Sequence, residues 1–259
     1  MSYARVNGTD LYFEQHGSGE PVVLLHGGFG AGALFAPLLP QFEGRTVITV
    51  DLAGHGHSPD PGRPLRPQTL ADDVAALIEH LGLAPVDLLG YSLGGLTALR
   101  VAIQHPDAIR RLVLVSVPVR RGASFPEVRA GMDALSVAAA EPMKQSPLYA
   151  LYARSNPHPE NWALLVERTA EFLKVDYDWV DDVAGLAMPV LLVYADADSI
   201  VPSHMSDVFA ALGGGLHDAT WDGSQRPVNQ LAILPGTTHY DIGSSPALVP
   251  PVLPFLGAA

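Results

Sequence analysis

The stretch LLGYSLGG at 88–95 holds one serine between glycines in the spacing Gly-x-Ser-x-Gly: Gly90, Tyr91, Ser92, Leu93, Gly94. The run before it, VDLLGY, is apolar enough for a buried strand, and the residues after it, SLGGLTALRVAIQHP, have helical periodicity. A serine at such a corner sits in a strained strand-to-helix turn with its hydroxyl projecting above the sheet, while small neighbours keep Cβ atoms from clashing. The helix that opens there presents backbone N–H groups to a forming oxyanion. The chemistry this suggests is nucleophilic attack on a carbonyl.

A serine hydroxyl is a poor nucleophile until a base takes its proton. Ten histidines are available, so position has to choose among them. His26, His55 and His57 fall in early loops, and His16, His80, His105 and His158 fall in turns or on helix exteriors. His239, in LPGTTHYDI, follows the last apolar run; parallel strands end on one edge, which brings this loop to the ledge that carries Ser92. Its protonation would remove the base, so activity should fall on acidification. A third group must hold the imidazole tautomer. The loop SVPVRRG offers no acid, whereas YADADSIVP (194–202) is the only strand-end loop between Ser92 and His239 with a carboxylate. It has two, Asp196 and Asp198, and residue type alone leaves both open.

Those residues need a scaffold. PVVLLHG (21–27), TVITVD (46–51), VDLLGYS (86–92), RLVLVSV (111–117), PVLLVYA (189–195) and NQLAILPG (229–236) are short runs, most of them apolar on both faces, as buried parallel strands are. QTLADDVAALIEHLG (68–82) places Leu70, Val74, Leu77, Ile78 and Leu81 on one helical face, with Asp72, Asp73 and Glu79 predicted in solvent. Thr69 and Asp72 have the spacing of a capping box. SHMSDVFAALG (203–213) reads as another helix. The alternation implies an α/β fold with a mostly parallel central sheet flanked by helices. It breaks between 118 and 188, where helical patterns are interrupted by prolines. The expected organisation is a core of 1–117 and 189–259 with a helical cap, 118–188, inserted between two strands. Aromatic residues in that stretch, among them Tyr149, Tyr152, Trp162, Tyr177 and Trp179, suggest an apolar or aryl-accommodating pocket. Arg120 and Arg121 are expected as a solvated pair at its hinge.

Bulk properties narrow the partners. With 15 Lys and Arg against 27 Asp and Glu, the chain of 259 residues carries a formal charge of −12, which repels nucleic acid and anionic membrane surfaces. Cysteine is absent, which excludes disulfides, thiolate nucleophiles and cysteine metal sites. The start, MSYARVNGTDLYFEQHG, lacks the apolar core of a signal peptide, and no run is long enough for a membrane span. The expectation is a soluble, cytoplasmic protein with no cofactor; composition is silent on oligomeric state. His55-Gly56-His57 has metal-ligand spacing, but the glycines, Ser58 and Pro59 around it make a tight turn, so no metal is expected.

Taken together, GYSLG, HGGFG (26–30), DLAGHGHS (51–58) and the order Ser, Asp, His resemble the α/β-hydrolase family over nearly the whole chain. The resemblance implies a catalytic triad of Ser92, Asp198 and His239, because the family's acid loop, Gly-x-x-Asp-x-x-x-Pro, aligns on Pro202; Ala195 stands where that glycine would. Asp196 is then a turn former. The resemblance also implies an oxyanion site formed by the N–H of Leu93 with that of Gly28 or Phe29, and a structural role for DLAGHGHS. The expected activity is hydrolysis of a carboxylic ester, thioester or lactone of a small to medium apolar acyl compound. Cofactor-free perhydrolases, C–C bond hydrolases and ligand receptors share such a triad; epoxide hydrolases and haloalkane dehalogenases use an aspartate where Ser92 stands. PALVPPVLPFLG, with four prolines in twelve residues, should break the family's C-terminal helix.

Overall fold

A computed structural model describes residues 2–257; the outermost bounds expected for the core, 1 and 259, lie outside the described residues. The strands are β1 (Ser2–Val6), β2 (Thr9–Gly17), β3 (Glu20–Leu25), β4 (Arg45–Val50), β5 (Val86–Tyr91), β6 (Ile109–Val115), β7 (Val190–Ala197) and β8 (Gln230–Thr238). The α-helices are α1 (Pro67–His80), α2 (Leu93–Gln104), α3 (Pro126–Ala134), α4 (Ala140–Met143), α5 (Pro147–Ser155), α6 (Trp162–Leu173), α7 (Val180–Ala184), α8 (Pro202–Ala211) and α9 (Val249–Leu256). The strands form one sheet in the order β1-β2-β4-β3-β5-β6-β7-β8. Only β1 with β2 and β2 with β4 pair antiparallel; from β4 to β8 every pairing is parallel.

Alternation along the parallel strands sends side chains into two cores. In β3, Val23 and Leu25 enter one cluster and Val22 and Leu24 the other; in β6, Leu112 and Leu114 oppose Val113 and Val115. Both faces of these strands are dry, which is why they read as continuous apolar runs. After β3 the chain steps to β4 on one side, then crosses through α1 to β5 on the other. A crevice opens outside the carboxyl ends of the strands at such a reversal, and ligands bind there in open α/β sheets. HGGFG leaves β3 and Ser92 leaves β5, so both candidate sequences border this crevice.

The α1 expectation holds for the apolar face and fails at its start. Pro67 occupies the first helical position and Arg66 is the N-cap, so Thr69 falls inside the first turn, where its hydroxyl donates back to the carbonyls of Pro64 and Arg66. The capping box does not form. Asp73 is buried, against expectation: Arg63 donates to both its oxygens at 2.6 and 2.7 Å, and Asn7 adds a third donor. The C-terminal prolines are better tolerated than predicted. Pro246 opens a 3-10 turn, while Pro250 and Pro251 lie in the first turn of α9, where a missing N–H leaves no bond unmade. Pro254 alone is inside the helix.

Between β6 and β7 the described elements are helices and 3-10 turns, with isolated backbone bridges at Arg120–Asp178 and Ser124–Ile200. This segment touches loops that follow β3 and β4: Trp162 packs on Phe29 with ring centroids 5.5 Å apart, Asn156 Nδ2 donates to Gly56 O at 2.8 Å, and Arg168 pairs with Asp60 at 2.6 Å. Trp162 is buried among Phe29, Tyr149 and Tyr152, and its indole N–H donates to Ala140 O. Arg121 is not solvated but donates to Asp133 and to the Leu173 carbonyl; Arg120 lies 3.6 Å from Asp207.

Buried histidines, His26, His55 and His204, give stability a pH dependence. His204, fully buried, accepts the Val119 N–H on Nε2 at 3.1 Å; burial, with the charge of Arg120 behind it, pushes its pKa down to about 4. His55, also buried, is pushed down to about 3. A folded-state pKa below the unfolded value means that the unfolded chain binds more protons as pH falls below about 6.5, so stability is lost between there and the folded values. His204 alone is worth on the order of 3 kcal/mol over that window. His204→Gln, whose carbonyl can still accept the Val119 N–H, should show a shallower loss of melting temperature from pH 7 to pH 4.5. A slope as steep as wild type would exonerate His204.

Candidate active site

Ser92 stands between β5 and α2 at φ +52° and ψ −115°, a left-handed conformation that L-residues rarely adopt. Its N–H donates to Val115 O at 3.0 Å, which ties the corner to β6. The glycines make the corner possible. A Cβ on Gly90 would lie 2.2 Å from Gly94 O, and one on Gly94 would lie 2.3 Å from Leu25 O and 2.4 Å from His26 O. Gly94→Ala, with no side chain of its own in the chemistry, should therefore destabilise the fold by about 2–3 kcal/mol. An unchanged denaturation midpoint would show that the backbone yields freely at this approach.

His239 follows β8, one residue beyond the strand, which runs two residues further than its last glycine. Its Nε2 is 3.1 Å from Ser92 Oγ, and its Nδ1 is 3.0 Å from Asp198 Oδ1. This network assigns the proton to Nδ1 and leaves Nε2 as acceptor toward the serine. The imidazole is 15% exposed and the Asp198 carboxylate is fully buried, so the carboxylate is shielded while the imidazole borders the crevice. Asp198 Oδ1 also accepts the Ser199 N–H at 2.8 Å; Oδ2 accepts the Ser116 hydroxyl at 2.5 Å and the Ala195 N–H at 3.1 Å. Burial pushes the Asp198 pKa up, but the bonds from His239 and Ser116 outweigh it and hold the carboxyl below the ordinary range.

Asp196 is placed otherwise. It is exposed and accepts the N–H groups of Gly236 and Thr237 at 3.0 and 3.2 Å, where the β7–β8 register shifts. It anchors the stem of the His239 loop without touching the imidazole. Tyr91 also holds that loop: its hydroxyl donates to His239 O at 2.5 Å. Neither Tyr91 nor Ser116 emerged from the sequence. Both stand at the ends of β-strands, and neither side chain is an acid or a base at neutral pH.

HGGFG closes a turn through Gly30 N–H to Gly27 O at 3.1 Å, with Phe29 at φ +59°. The turn abuts the serine corner: a Cβ on Gly27 would lie 2.8 Å from the Tyr91 ring and 3.4 Å from Ser92 Cβ, and one on Gly28 would lie 3.9 Å from the Leu93 side chain. The N–H groups of Gly28, Phe29 and Leu93 have no acceptor among the described residues. His26 pins the turn from beneath. Its Nδ1 donates to Gly27 O at 2.7 Å and its Nε2 accepts the Leu52 N–H at 3.1 Å, a neutral tautomer favoured by burial.

DLAGHGHS folds around Asp51, which accepts from Gly32 N–H at 2.6 Å, His57 N–H at 2.7 Å and His57 Nδ1 at 2.9 Å. A Cβ on Gly56 would strike that carboxylate at 2.1 Å. His55 turns instead into the core, where Nδ1 donates to Ala53 O at 3.1 Å. The two imidazoles of the His-x-His pair thus serve separate partners. Among the described residues no three His, Asp or Glu side chains come together as a metal site, and no helix is long and apolar enough to cross a membrane.

Similarity to known proteins agrees with this architecture. A family described as the alpha/beta hydrolase fold matches residues 20–142. A protein assigned as the carbamate hydrolase RutD of Azorhizobium caulinodans is 27% identical over 249 residues, spanning 85% of this chain and 88% of its own. The pimeloyl-[acyl-carrier protein] methyl ester esterase of Vibrio vulnificus is 28% identical over 221 residues, spanning 75% and 82%. The crystal structure of E-2-(acetamidomethylene)succinate hydrolase superimposes with a TM-score of 0.76 at 23% identity, covering 99% of this chain and 98% of that one, a likeness of fold. With its eight-stranded, mostly parallel sheet flanked by helices, the chain has the α/β-hydrolase fold.

Proposed function

We propose that the protein is a serine hydrolase that cleaves a carboxylic ester, thioester or lactone of a small to medium apolar acyl compound. The observation that carries this reading is the unbroken hydrogen-bond chain from Ser92 Oγ through His239 to the buried Asp198. Ser92 Oγ attacks the carbonyl carbon as His239 Nε2 takes its proton. The carbonyl oxygen becomes an oxyanion, accepting from the N–H of Leu93 and that of Gly28 or Phe29, which the fold leaves without partners. Collapse of the tetrahedral species breaks the bond to the leaving group, which takes the proton from His239. Water, deprotonated by the same imidazole, then releases the acid and restores Ser92. Asp198 keeps the Nδ1 proton in place and stabilises the imidazolium; its lowered pKa keeps it anionic through the cycle.

The helical segment 118–188 acts in this reading as a cap. Trp162, backed by Tyr149 and Tyr152, lies against Phe29 beside the oxyanion site, which favours an apolar acyl or alkoxy group there. The relatives in Vibrio vulnificus, named as a methyl ester esterase, and in Azorhizobium caulinodans, assigned as a carbamate hydrolase, are both matched over most of their length and support hydrolysis as the reaction class.

A panel of esters, thioesters and lactones with graded acyl lengths tests the reading. Wild type should turn over p-nitrophenyl butyrate and show a preference along the series. Ligand binding without turnover across the whole panel would favour a receptor on the same fold.

A further inference from the structure

The Asp198 carboxylate has two oxygens, and only Oδ1 faces His239. The other, Oδ2, lies 2.5 Å from Ser116 Oγ, a closer approach than the 3.1 Å of its second donor, the Ala195 N–H. Ser116 is the first residue beyond β6 and is completely buried. It adopts φ +51°, a conformation that glycine takes freely and serine does not, with its N–H fixed on Val193 O at 2.8 Å. A backbone this constrained leaves the hydroxyl little choice of direction, and the acceptor it finds is the far oxygen of the buried acid. A carboxylate turns about its terminal bond through a broad range unless both oxygens are held.

We infer that Ser116 is a positioning residue: its hydroxyl clamps Oδ2 and so fixes the rotation of the Asp198 carboxylate that presents Oδ1 to the Nδ1 proton of His239. The inference rests on the reading of Asp198 as the acid that orients His239. The Ser116 hydroxyl, fully buried, is hydrogen-bonded to Asp198 and to neither Ser92 nor His239, so it acts through Asp198.

Two substitutions separate this role from support of the fold. Ser116→Ala removes the hydroxyl and keeps the backbone strain; Ser116→Gly removes the hydroxyl and relieves the strain. Circular dichroism identifies which variants are folded, and the glycine variant carries the test if the alanine variant is not. With p-nitrophenyl butyrate, each folded variant should lose at least tenfold in kcat while KM stays within twofold. Independently of any substrate, the downfield proton resonance of His239 Nδ1–H, assigned by its loss in His239→Gln, should shift or vanish in both. A folded variant with wild-type kcat and an unmoved resonance would overturn the inference, as would glycine restoring the activity that alanine loses. Absence of ester turnover by wild type would remove the proposed activity instead, and the resonance would still decide the role of Ser116.

Discussion

Ser92→Ala is expected to lower kcat for p-nitrophenyl butyrate by about 10⁴-fold or more, with little change in KM. That loss corresponds to about 5 kcal/mol of transition-state stabilisation, far beyond what removing one surface hydroxyl from a folded protein does to anything else. The fold should barely register the change, since alanine takes the same φ +52° as serine with the same Cβ. Ser92→Gly should be equally inactive and melt higher than wild type, because glycine relieves a strained φ. Steady-state kinetics with thermal melts of both variants checks the pair. Activity retained in either would mean that the hydrolysis observed arises elsewhere.

The second large effect is a contrast between neighbours. Asp198→Asn should reduce kcat by roughly 10⁴-fold, because an amide NH₂ facing Nδ1 favours the tautomer that puts the proton on Nε2, toward Ser92. Asp196→Asn should change kcat by less than about threefold. The asparagine carbonyl can still accept from Gly236 or Thr237, and neither bond reaches His239. Parallel kinetics on the two variants decides the matter; the reverse pattern would make Asp196 the acid. The buried, four-bonded carboxylate and the exposed, two-bonded one differ in what they face, which charge and spacing alone cannot express.

Much of the scaffold was legible because its strands are buried on both faces and so announce themselves as uninterrupted apolar runs. Ser92 was legible for a steric reason: only glycines fit where Gly90 and Gly94 approach backbone oxygens, so the turn leaves a pattern. The choice of Asp198 over Asp196 rested on an alignment to Pro202, since residue type leaves the two carboxylates of that one loop equal. What stayed hidden depends on partners distant in sequence. Asp73 sits on the helical face predicted for solvent, but Arg63 and Asn7 reach it and permit its burial. Thr69 has cap spacing, yet Pro67 sets the helix start one turn earlier than a capping box would. Ser116 reads as an ordinary serine after a strand until folding brings it to Asp198 from 82 residues away.

The central claim is that Ser92, activated by His239, forms a covalent acyl-enzyme. Intact-protein and peptide mass spectrometry after reaction with an alkyl p-nitrophenyl phosphonate, which leaves a stable adduct in place of the transient acyl group, measures this directly. The account predicts one adduct per chain, located on Ser92, formed rapidly by wild type and at a small fraction of that rate by His239→Ala. An unmodified Ser92, an adduct on another residue, or labelling that is indifferent to His239 would contradict it.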